Sequence, residues 1–444
     1  MASRLESGPL ILLALVVTPL LCAAAFVRPQ LGVILVFLSF PIGSLAVPAG
    51  PISLQVSEFS VLVVAVLIAL RRLAAGRSLL PWSASLWWLL ALVAWALVGL
   101  TSAVDHVLAL KQIASLLGGL LLTCVVLDAC WSMEVLRLVL GFLVAVATGI
   151  AAGAFVNSGT TPEAVYGGSI VMGRAQSTFD DPNQLGTLCA IALLVTIGLL
   201  LGARSRRARV LAWGAIAVLT GGLLLSLSRG AWIGTATALL LLVAVVRQAR
   251  WGVFVLTLSL IIPAAMLSYL MGTTSQVEVV GARLNSLTTR SPLDARPAIW
   301  QEAFREVTTD PWTGQGAGGF PVASTKAGSG ASHVNAVHAH NLLLTWAAET
   351  GIPGALMIVG FCLSLTVAAG RAASAARASG SSRDRTLIAC MGAALLAVFV
   401  QGGFDYVLRN SIVFLATCCV IGGLLTARLH AAGSEGGIAV ANAQ

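Results

Sequence analysis

A pair of histidines at the start of a long apolar run is the part of this sequence best suited to proton transfer. His338 and His340 stand two residues apart in "VHAHNLLLTWAAETGIPGAL", with Asn341 directly after them, and the whole chain has only 5 histidines. A neutral imidazole near pH 7 can accept a proton from an attacking hydroxyl group. The pattern predicts a general base at His338 or His340, and imidazole chemistry alone does not choose between them. The alternative for either histidine is a satisfied polar residue at a membrane interface.

Three arginines outside the basic loops are candidates for binding an anion. Arg174 lies in "GRAQSTFDDPNQLG", Arg229 in "SLSRGAW" and Arg296 in "RPAIW". The planar guanidinium donates two parallel hydrogen bonds to an oxyanion and keeps its charge. Arg229 lies at or near membrane depth, where an arginine at the bilayer centre costs about 2.5–3.5 kcal/mol, so we expect a polar partner rather than a snorkelling side chain. Two or three such arginines could hold a diphosphate carried by a lipid.

The acidic pair Asp180 and Asp181 directly precedes Pro182 and Asn183. These carboxylates could be catalytic, but aspartate commonly caps a helix that begins just after it. We expect capping, or pairing with one of the arginines. An H-x-H pair can also bind a metal ion, but no third ligand is apparent beyond Asp180 or Asp181, so we predict no metal.

The composition indicates that lipid is the solvent for most of the chain. Hydrophobic residues make up 58% of the sequence and charged residues only 10%, whereas soluble domains carry about 25% charged residues. Apolar runs of about 17–25 residues, enough to cross ~30 Å of hydrocarbon, recur from end to end. The net charge of +9 comes from arginines concentrated in short loops. This is the positive-inside pattern of cytoplasmic loops, and it does not indicate nucleic-acid binding.

These runs predict an all-α, multi-pass membrane protein with about twelve transmembrane helices and both termini in the cytoplasm. We expect spans at approximately 9–27, 55–70, 82–102, 107–127, 134–155, 184–202, 208–226, 229–246, 251–271, 341–368, 386–406 and 411–428. A thirteenth is required if the interrupted run 31–47 crosses fully. We expect one integral membrane domain over 1–444, with 156–183 and the large loop 272–340 outside the cytoplasm.

The large loop contains one segment with a helical pattern. "DARPAIWQEAFREV" has Asp294 as a cap and Pro297 in its first turn. Trp300, Phe304 and Val307 fall on one stripe, so the helix could lie on the membrane or pack over the spans. The glycine-rich "TGQGAGGFPVASTKAGSGAS" that follows predicts a flexible segment, either a lid or a plain connector.

Four motifs in order resemble the O-antigen ligase and O-antigen polymerase superfamily. They are "TFDDPNQLG", "SLSRGAW", the R-x-x-x-W of Arg296 and Trp300 followed by "DPWTGQGAGGF", and "HN" followed after nine residues by "GIPG". The resemblance covers about 165–410 by motif and the remainder by hydropathy. "DDPN" is more acidic than the pattern of many relatives, which leaves the role of Asp180 and Asp181 open.

The resemblance implies a GT-C-type glycosyltransferase in the bacterial inner membrane, with its active site facing the periplasm and with no metal, cofactor or nucleotide sugar. Its donor would be an O-antigen linked to undecaprenyl diphosphate. A ligase passes the glycan to a sugar hydroxyl of lipid A–core oligosaccharide, a polymerase to another repeat unit, and other relatives to a protein.

By the same resemblance, His340 rather than His338 would be the general base. Arg229 and Arg296 would bind the diphosphate, with Arg174 adding to that site. Asn341, Asp181, Asn183 and Trp300 lie within the motifs as supporting residues. We expect direct displacement with inversion at the anomeric carbon. A transporter or lipid-glycan flippase is the competing class, but it predicts polar groups at mid-membrane in repeated halves, whereas these residues gather near one face.

Overall fold

The computed structural model describes residues 22–42, 46–49, 52–76, 83–157, 162–165, 169–172, 175–246, 296–327, 336–378 and 380–435. The helices are α1 Pro29–Leu38, α2 Val56–Ala74, α3 Ala84–Gly99, α4 His106–Ala129, α5 Met133–Asn157, α6 Pro182–Leu201, α7 Arg206–Leu225, α8 Arg229–Val245, α9 Arg296–Thr309, α10 Phe320–Ala327, α11 Leu342–Ala378, α12 Ser382–Gly402 and α13 Ser411–Glu435. Strands β1 Ala46–Ala49 and β2 Ile52–Gln55 form one antiparallel hairpin, and β3 Pro162–Val165 and β4 Ser169–Met172 form another.

Eight helices of the described part are long and apolar enough to cross a membrane, which confirms the prediction of a largely helical, multi-pass membrane protein. They are α3 with the turn after it, α4, α5, α6, α7, α11, α12 and α13. Shorter apolar helices cover Pro29–Ile42 and Arg229–Val245. The predicted span 251–271 and most of 9–27 lie outside the described residues, so the count of twelve stays a prediction.

The run 31–47 does not form one continuous span. Helix α1 ends at Leu38, a 3-10 turn covers Phe40–Ile42, and the chain then enters the β1–β2 hairpin. Pro41 explains the break, because proline lacks the N–H that a continuing helix would need and disfavours helical geometry in the residue before it.

Helices α6 and α13 lie at the centre of the bundle. Within their most apolar stretches, 78% of α6 and 83% of α13 are buried, against 28% for both α7 and α11. Small residues let neighbouring helices approach closely, as is common between membrane helices. A Cβ at Gly234 of α8 would lie 2.4 Å from the carbonyl oxygen of Ala397 in α12. The central helices therefore form a rigid support for the loops at their ends.

The two ends of the bundle differ in chemistry. At one end, called here the arginine face, Arg71 and Arg72 both pair with Asp128, and Arg137 pairs with Asp384. At the other end, called the histidine face, lie residues 336–341 and the hairpin 403–410. The helix directions place the predicted cytoplasmic loops on the arginine face and the predicted outer loops on the histidine face.

Helix α9 forms where the sequence predicts a helix, with Pro297 in its first turn, but a different side of it is buried. Ile299 and Ala303 are buried together with the carboxyl groups of Glu302 and Glu306, whereas Phe304 is 60% exposed. Of the expected stripe, Val307 packs against the buried residues, whereas Phe304 points away from them. The reason is that α9 packs against a second small core formed by Phe320, Ala336, Ala339 and Ala348.

The glycine-rich segment is folded over its described part, 313–327, rather than flexible. The N–H of Gln315 donates to the carbonyl oxygen of Ala348, 2.9 Å away, and α10 follows directly. Gly351 of α11 adopts φ 72°, and a Cβ there would lie 2.1 Å from the carbonyl oxygen of Trp312. Glycine is thus used here for close backbone contact and a left-handed conformation. Residues 328–335 lie outside the described residues.

Candidate active site

The histidine pair sits in a short turn that the neighbouring segments hold in place. The side chain of Asn341 caps α11 by accepting from the N–H of Leu344 at 3.0 Å, and its amide donates to the carbonyl oxygen of Gly403 at 3.2 Å. The N–H of the buried Ala339 donates to Thr345 Oγ1 at 3.2 Å. These contacts fix the turn to both α11 and the hairpin that follows α12.

Asp405 and His340 form a hydrogen-bonded acid–imidazole pair. His340 Nδ1 lies 2.9 Å from Asp405 Oδ1. The backbone of His340 has φ 47°, in the left-handed region that few residues other than glycine adopt. Such a conformation persists only where surrounding contacts determine it, and it is a feature often found at functional sites.

Asp405 is ionised and is held rigidly. It is 3% exposed, its Oδ1 also accepts from the N–H of Tyr406 at 2.8 Å, and its Oδ2 accepts from Asn183 Nδ2 at 2.8 Å. Burial by itself raises the pKa of Asp405, but the hydrogen bonds with His340 and from the N–H of Tyr406 outweigh it and hold the pKa below its usual range. Because an ionised carboxylate only accepts hydrogen bonds, His340 donates from Nδ1, and in the neutral imidazole the lone pair then lies on Nε2.

His338 has a different role from His340. Its Nδ1 accepts from the backbone N–H of His340 at 3.1 Å, and its Nε2 lies 3.7 Å from Asp405 Oδ1. Burial lowers the pKa of His338 to about 3, with further lowering by His340 and Arg409 and an opposing contribution from Asp405. His338 is therefore a neutral side chain whose described contacts support the backbone of His340.

The "DDPN" segment reaches the same site from another helix. Asp181 caps α6 by accepting from the N–H of Asn183 at 2.8 Å, which confirms the expectation of a cap. Asn183 then donates its side-chain amide to Asp405. Asp180 is exposed and has no described contact with this group. The motif thus contributes a helix cap and an amide that holds Asp405.

Two of the three candidate arginines begin helices on the histidine face. Arg229 is the first residue of α8, and a Cβ at the adjacent Gly230 would lie 3.3 Å from side-chain atoms of Gln401 and Phe404, shortly before Asp405. Arg296 is the first residue of α9, whose Ile299 packs in one cluster with Ala339, the residue between the two histidines. The helix ends therefore bring both arginines to the face that holds His340.

The structure gives less information on the other two residues named from the motifs, Arg174 and Trp300. Arg174 lies outside the described residues. Trp300 is partly buried in α9, and its indole N–H has no hydrogen-bond partner within the parts of the chain that the structure describes. Its role as a supporting residue stays a prediction.

A third metal-ligating residue does join the histidine pair, but it is Asp405 rather than Asp180 or Asp181. Ligand atoms of His338, His340 and Asp405 all lie within 4.8 Å of one another. Two imidazoles and a carboxylate are ligands that zinc accepts. The same distances describe a histidine oriented by a carboxylate, so the geometry alone admits both arrangements.

Asp405 is the residue whose role sequence reasoning missed. "FDYVLRN" places an aspartate in a short hairpin between two apolar spans, on the predicted outer face. That position is a usable signal, because an acidic group next to a membrane core needs a partner. The sequence does not show which partner it has, since 65 residues separate Asp405 from His340.

The sequence profile of the O-antigen ligase family matches residues 214–359 of the chain. This match agrees with the resemblance predicted from the motifs, and it spans 146 of the chain's 444 residues. It covers Arg229, Arg296 and both histidines, whereas Asp405 and Asn183 lie beyond its ends.

Other comparisons add little to this family assignment. No curated protein matches the chain significantly. Among solved structures, the chain is similar to one from a study described as "Structural coordination of polymerization and crosslinking by a peptidoglycan synthase complex", with 21% sequence identity and a TM-score of 0.40. That similarity covers 78% of this chain and 96% of the other one.

Proposed function

We propose that the protein is an O-antigen ligase. It transfers a glycan from undecaprenyl diphosphate to a sugar hydroxyl of lipid A–core oligosaccharide, on the periplasmic face of the bacterial inner membrane. The reaction needs no metal or cofactor. The observation that carries the proposal is the Asp405–His340 hydrogen bond at 2.9 Å, on the same face of the bundle as the first residues of α8 and α9, Arg229 and Arg296.

The first step is removal of a proton from the acceptor. His340 Nε2 accepts the hydroxyl proton while Asp405 keeps Nδ1–H in place and stabilises the imidazolium that forms, as in other acid–histidine pairs. A base that is already oriented loses little entropy when the acceptor arrives. Asn183 and the N–H of Tyr406 hold Asp405 in turn.

The second feature is stabilisation of the leaving group. The acceptor oxygen attacks the anomeric carbon, and the bond from that carbon to the diphosphate oxygen breaks. The negative charge that develops on the diphosphate is neutralised by Arg229 and Arg296, with Arg174 adding to the site. Attack opposite the departing diphosphate inverts the configuration, so a product with retained anomeric configuration would refute this direct displacement.

Reconstitution with purified components tests the proposal. Protein in liposomes receives undecaprenyl-diphosphate glycan together with lipid A–core oligosaccharide, a second repeat-unit lipid or a candidate acceptor protein, all with EDTA. A ligase shifts only the lipid A–core band. Elongation of the donor or modification of the protein would assign polymerase or protein glycosylation instead, and an untouched donor would favour transport. Activity that EDTA removes and zinc restores would assign the His338–His340–Asp405 cluster to a metal.

A further inference from the structure

A polar cavity of about 120 Å³ lies beside the histidine pair, on the histidine face between α2, α4 and α13. Its polar lining comes from Gln55, Lys111, Gln112, Ser115, Arg409 and Ser411. One water needs only ~10–15 Å³, so the cavity has room for a larger polar group. None of the residues placed in the catalytic reaction above lines it.

The cavity carries two cations and no lining carboxylate. Lys111 is exposed, and it is one of only two lysines in the chain. In the described part of the chain, neither Lys111 nor Arg409 has a carboxylate oxygen within 4.0 Å. Two positive charges at one polar cavity favour an anion.

The nearest opposing charge is already engaged by other groups. Glu58, 6% exposed, accepts hydrogen bonds from Ser115 Oγ at 2.6 Å and Ser411 Oγ at 2.5 Å, and from the N–H of Gln55 at 2.9 Å. A second carboxylate, that of Glu349, accepts from the N–H of the cavity-lining Gly318 at 2.8 Å, so both nearby carboxylates are held by other groups while the two cations line the cavity. Glu58 therefore orients the serine hydroxyls and reduces the affinity for an anion without removing it.

Side chains connect the cavity to the general base. Gln112 Nε2 donates to Tyr406 Oη at 3.3 Å, and the ring of Tyr406 lies 5.8 Å from that of His338, edge to face. Arg409 donates to the carbonyl oxygen of Val337, next to His338. Asn183 contacts Asp405 from α6. The cavity is lined by other helices, so it lies on a different side of the base from α6 and from α8, which carries Arg229.

We infer that this cavity binds a phosphate group of the acceptor glycolipid, close to the hydroxyl that receives the glycan. The inference rests on the proposed transfer and adds the chemical class of acceptor. A guanidinium fork and an ammonium point charge together suit a tetrahedral phosphate monoester, and the amides of Gln55 and Gln112 supply neutral donors. The donor's diphosphate is assigned to the arginines at the starts of α8 and α9, which leaves the cavity for the second substrate.

Amine footprinting tests binding without requiring turnover. The purified protein in nanodiscs is treated with an amine-acylating reagent, and the modification of Lys111 and Lys326 is measured by mass spectrometry. Lys326 is an exposed internal control. Phosphate-bearing lipid A–core should protect Lys111 several-fold more than the same glycolipid after enzymatic dephosphorylation, and inorganic phosphate at millimolar concentration should protect it weakly. Equal protection by the two glycolipids would overturn the inference.

Steady-state transfer separates the two substrates. Lys111→Gln should raise KM for the phosphate-bearing acceptor about tenfold, as expected for loss of one charge-assisted contact. It should leave KM for the donor and for the dephosphorylated acceptor unchanged, and Lys326→Gln should change none of them. A raised KM for the donor alone would assign the cavity to the donor diphosphate and overturn the inference. If the wild-type protein transfers nothing, the proposed function fails, and the footprint still decides whether the cavity binds phosphate.

Discussion

Asp405 Oδ1 lies 2.9 Å from Nδ1 of His340, across 65 residues of sequence. Two further hydrogen bonds, from Asn183 and from the backbone of Tyr406, leave the carboxylate little freedom to rotate. This arrangement assigns a donor role to His340 Nδ1 and leaves Nε2 as the basic nitrogen. It also separates His340 from His338, whose Nδ1 is occupied by a backbone N–H.

The two histidines should therefore respond differently to substitution. His340→Ala is expected to lower the transfer rate by roughly 10²–10⁴-fold, the usual contribution of a general base. His338→Ala should lower it less, because His338 acts through the backbone of His340. Single-turnover transfer with saturating acceptor measures both. A larger loss for His338→Ala than for His340→Ala would exchange their roles.

Arginine-to-lysine substitutions test the diphosphate site. Arg229→Lys and Arg296→Lys keep the charge but remove the planar fork, so each should weaken donor use by about 10-fold or more. KM for the acceptor should change little. Arg305→Lys is the matched control, since Arg305 lies on the same helix as Arg296 and pairs with Glu302. An equal effect of all three substitutions on donor KM would contradict a specific role of Arg229 and Arg296 in binding the diphosphate.

Glu306 gives a pH dependence to the stability of the loop helix α9. Burial raises its pKa from 4.5 to about 8, with smaller raising effects from Glu302 and Glu349 and lowering effects from Ser324 and Arg305. The folded protein therefore keeps a proton that the unfolded chain releases above about pH 4.5. The stabilisation of the folded state by this proton is fully present below about pH 4.5 and is lost as the pH rises to about 8.

Glu306→Gln should remove this dependence, because the amide resembles the protonated acid. The melting temperature of the variant should exceed that of the wild type at pH 8.5 and match it near pH 5. Glu134→Gln, with a side chain 79% exposed, is the control. A wild-type melting temperature that rises steadily from pH 5 to pH 8.5 while the variant's does not would contradict the assignment.

Gly351, the non-helical residue at the kink in α11, and Gly370, in the helix after it, should differ sharply on substitution. Gly351→Ala forces a Cβ into a position 2.1 Å from the carbonyl oxygen of Trp312 at φ 72°, so we expect a loss of at least about 1–3 kcal/mol. Gly370 has no neighbour within 4 Å of an added Cβ, so Gly370→Ala should be neutral or stabilising by about 1 kcal/mol. Denaturation in mixed micelles measures both, and similar losses for the two variants would show that α11 and the turn at 310–316 do not pack as described.

Hydropathy predicted the helices well because the solvent of this protein is lipid. A span must be long and apolar, and it must satisfy its own backbone, so α4, α5, α7 and α13 begin and end within a few residues of the predicted positions. The cap at Asp181 was also predictable, since capping depends on the few residues around it. His340, Arg229 and Arg296 were named from local motifs, and their roles stay predictions.

Features that depend on tertiary packing were not predictable in this way. The inward face of α9 depends on a small core made with residues 336–348, so the apolar stripe identified Val307 but not the buried Ile299 and Ala303. The glycine-rich segment reads as flexible, but its left-handed glycines fit against α4 and α11. The partnership of Asp405 with His340 joins two loops that only the bundle brings together.

The most direct test of the central claim is the transfer rate of Asp405→Asn compared with Asp180→Asn. The asparagine at 405 can keep the hydrogen bonds in number, but it removes the charge that orients and stabilises the imidazole, so transfer should fall by roughly 10²–10⁴-fold with the protein still folded. Asp180 is exposed on the same face, and its substitution should leave the rate within about twofold, as expected for a surface change. Nearly wild-type transfer by a folded Asp405→Asn protein would contradict the Asp405–His340 pair as the catalytic base.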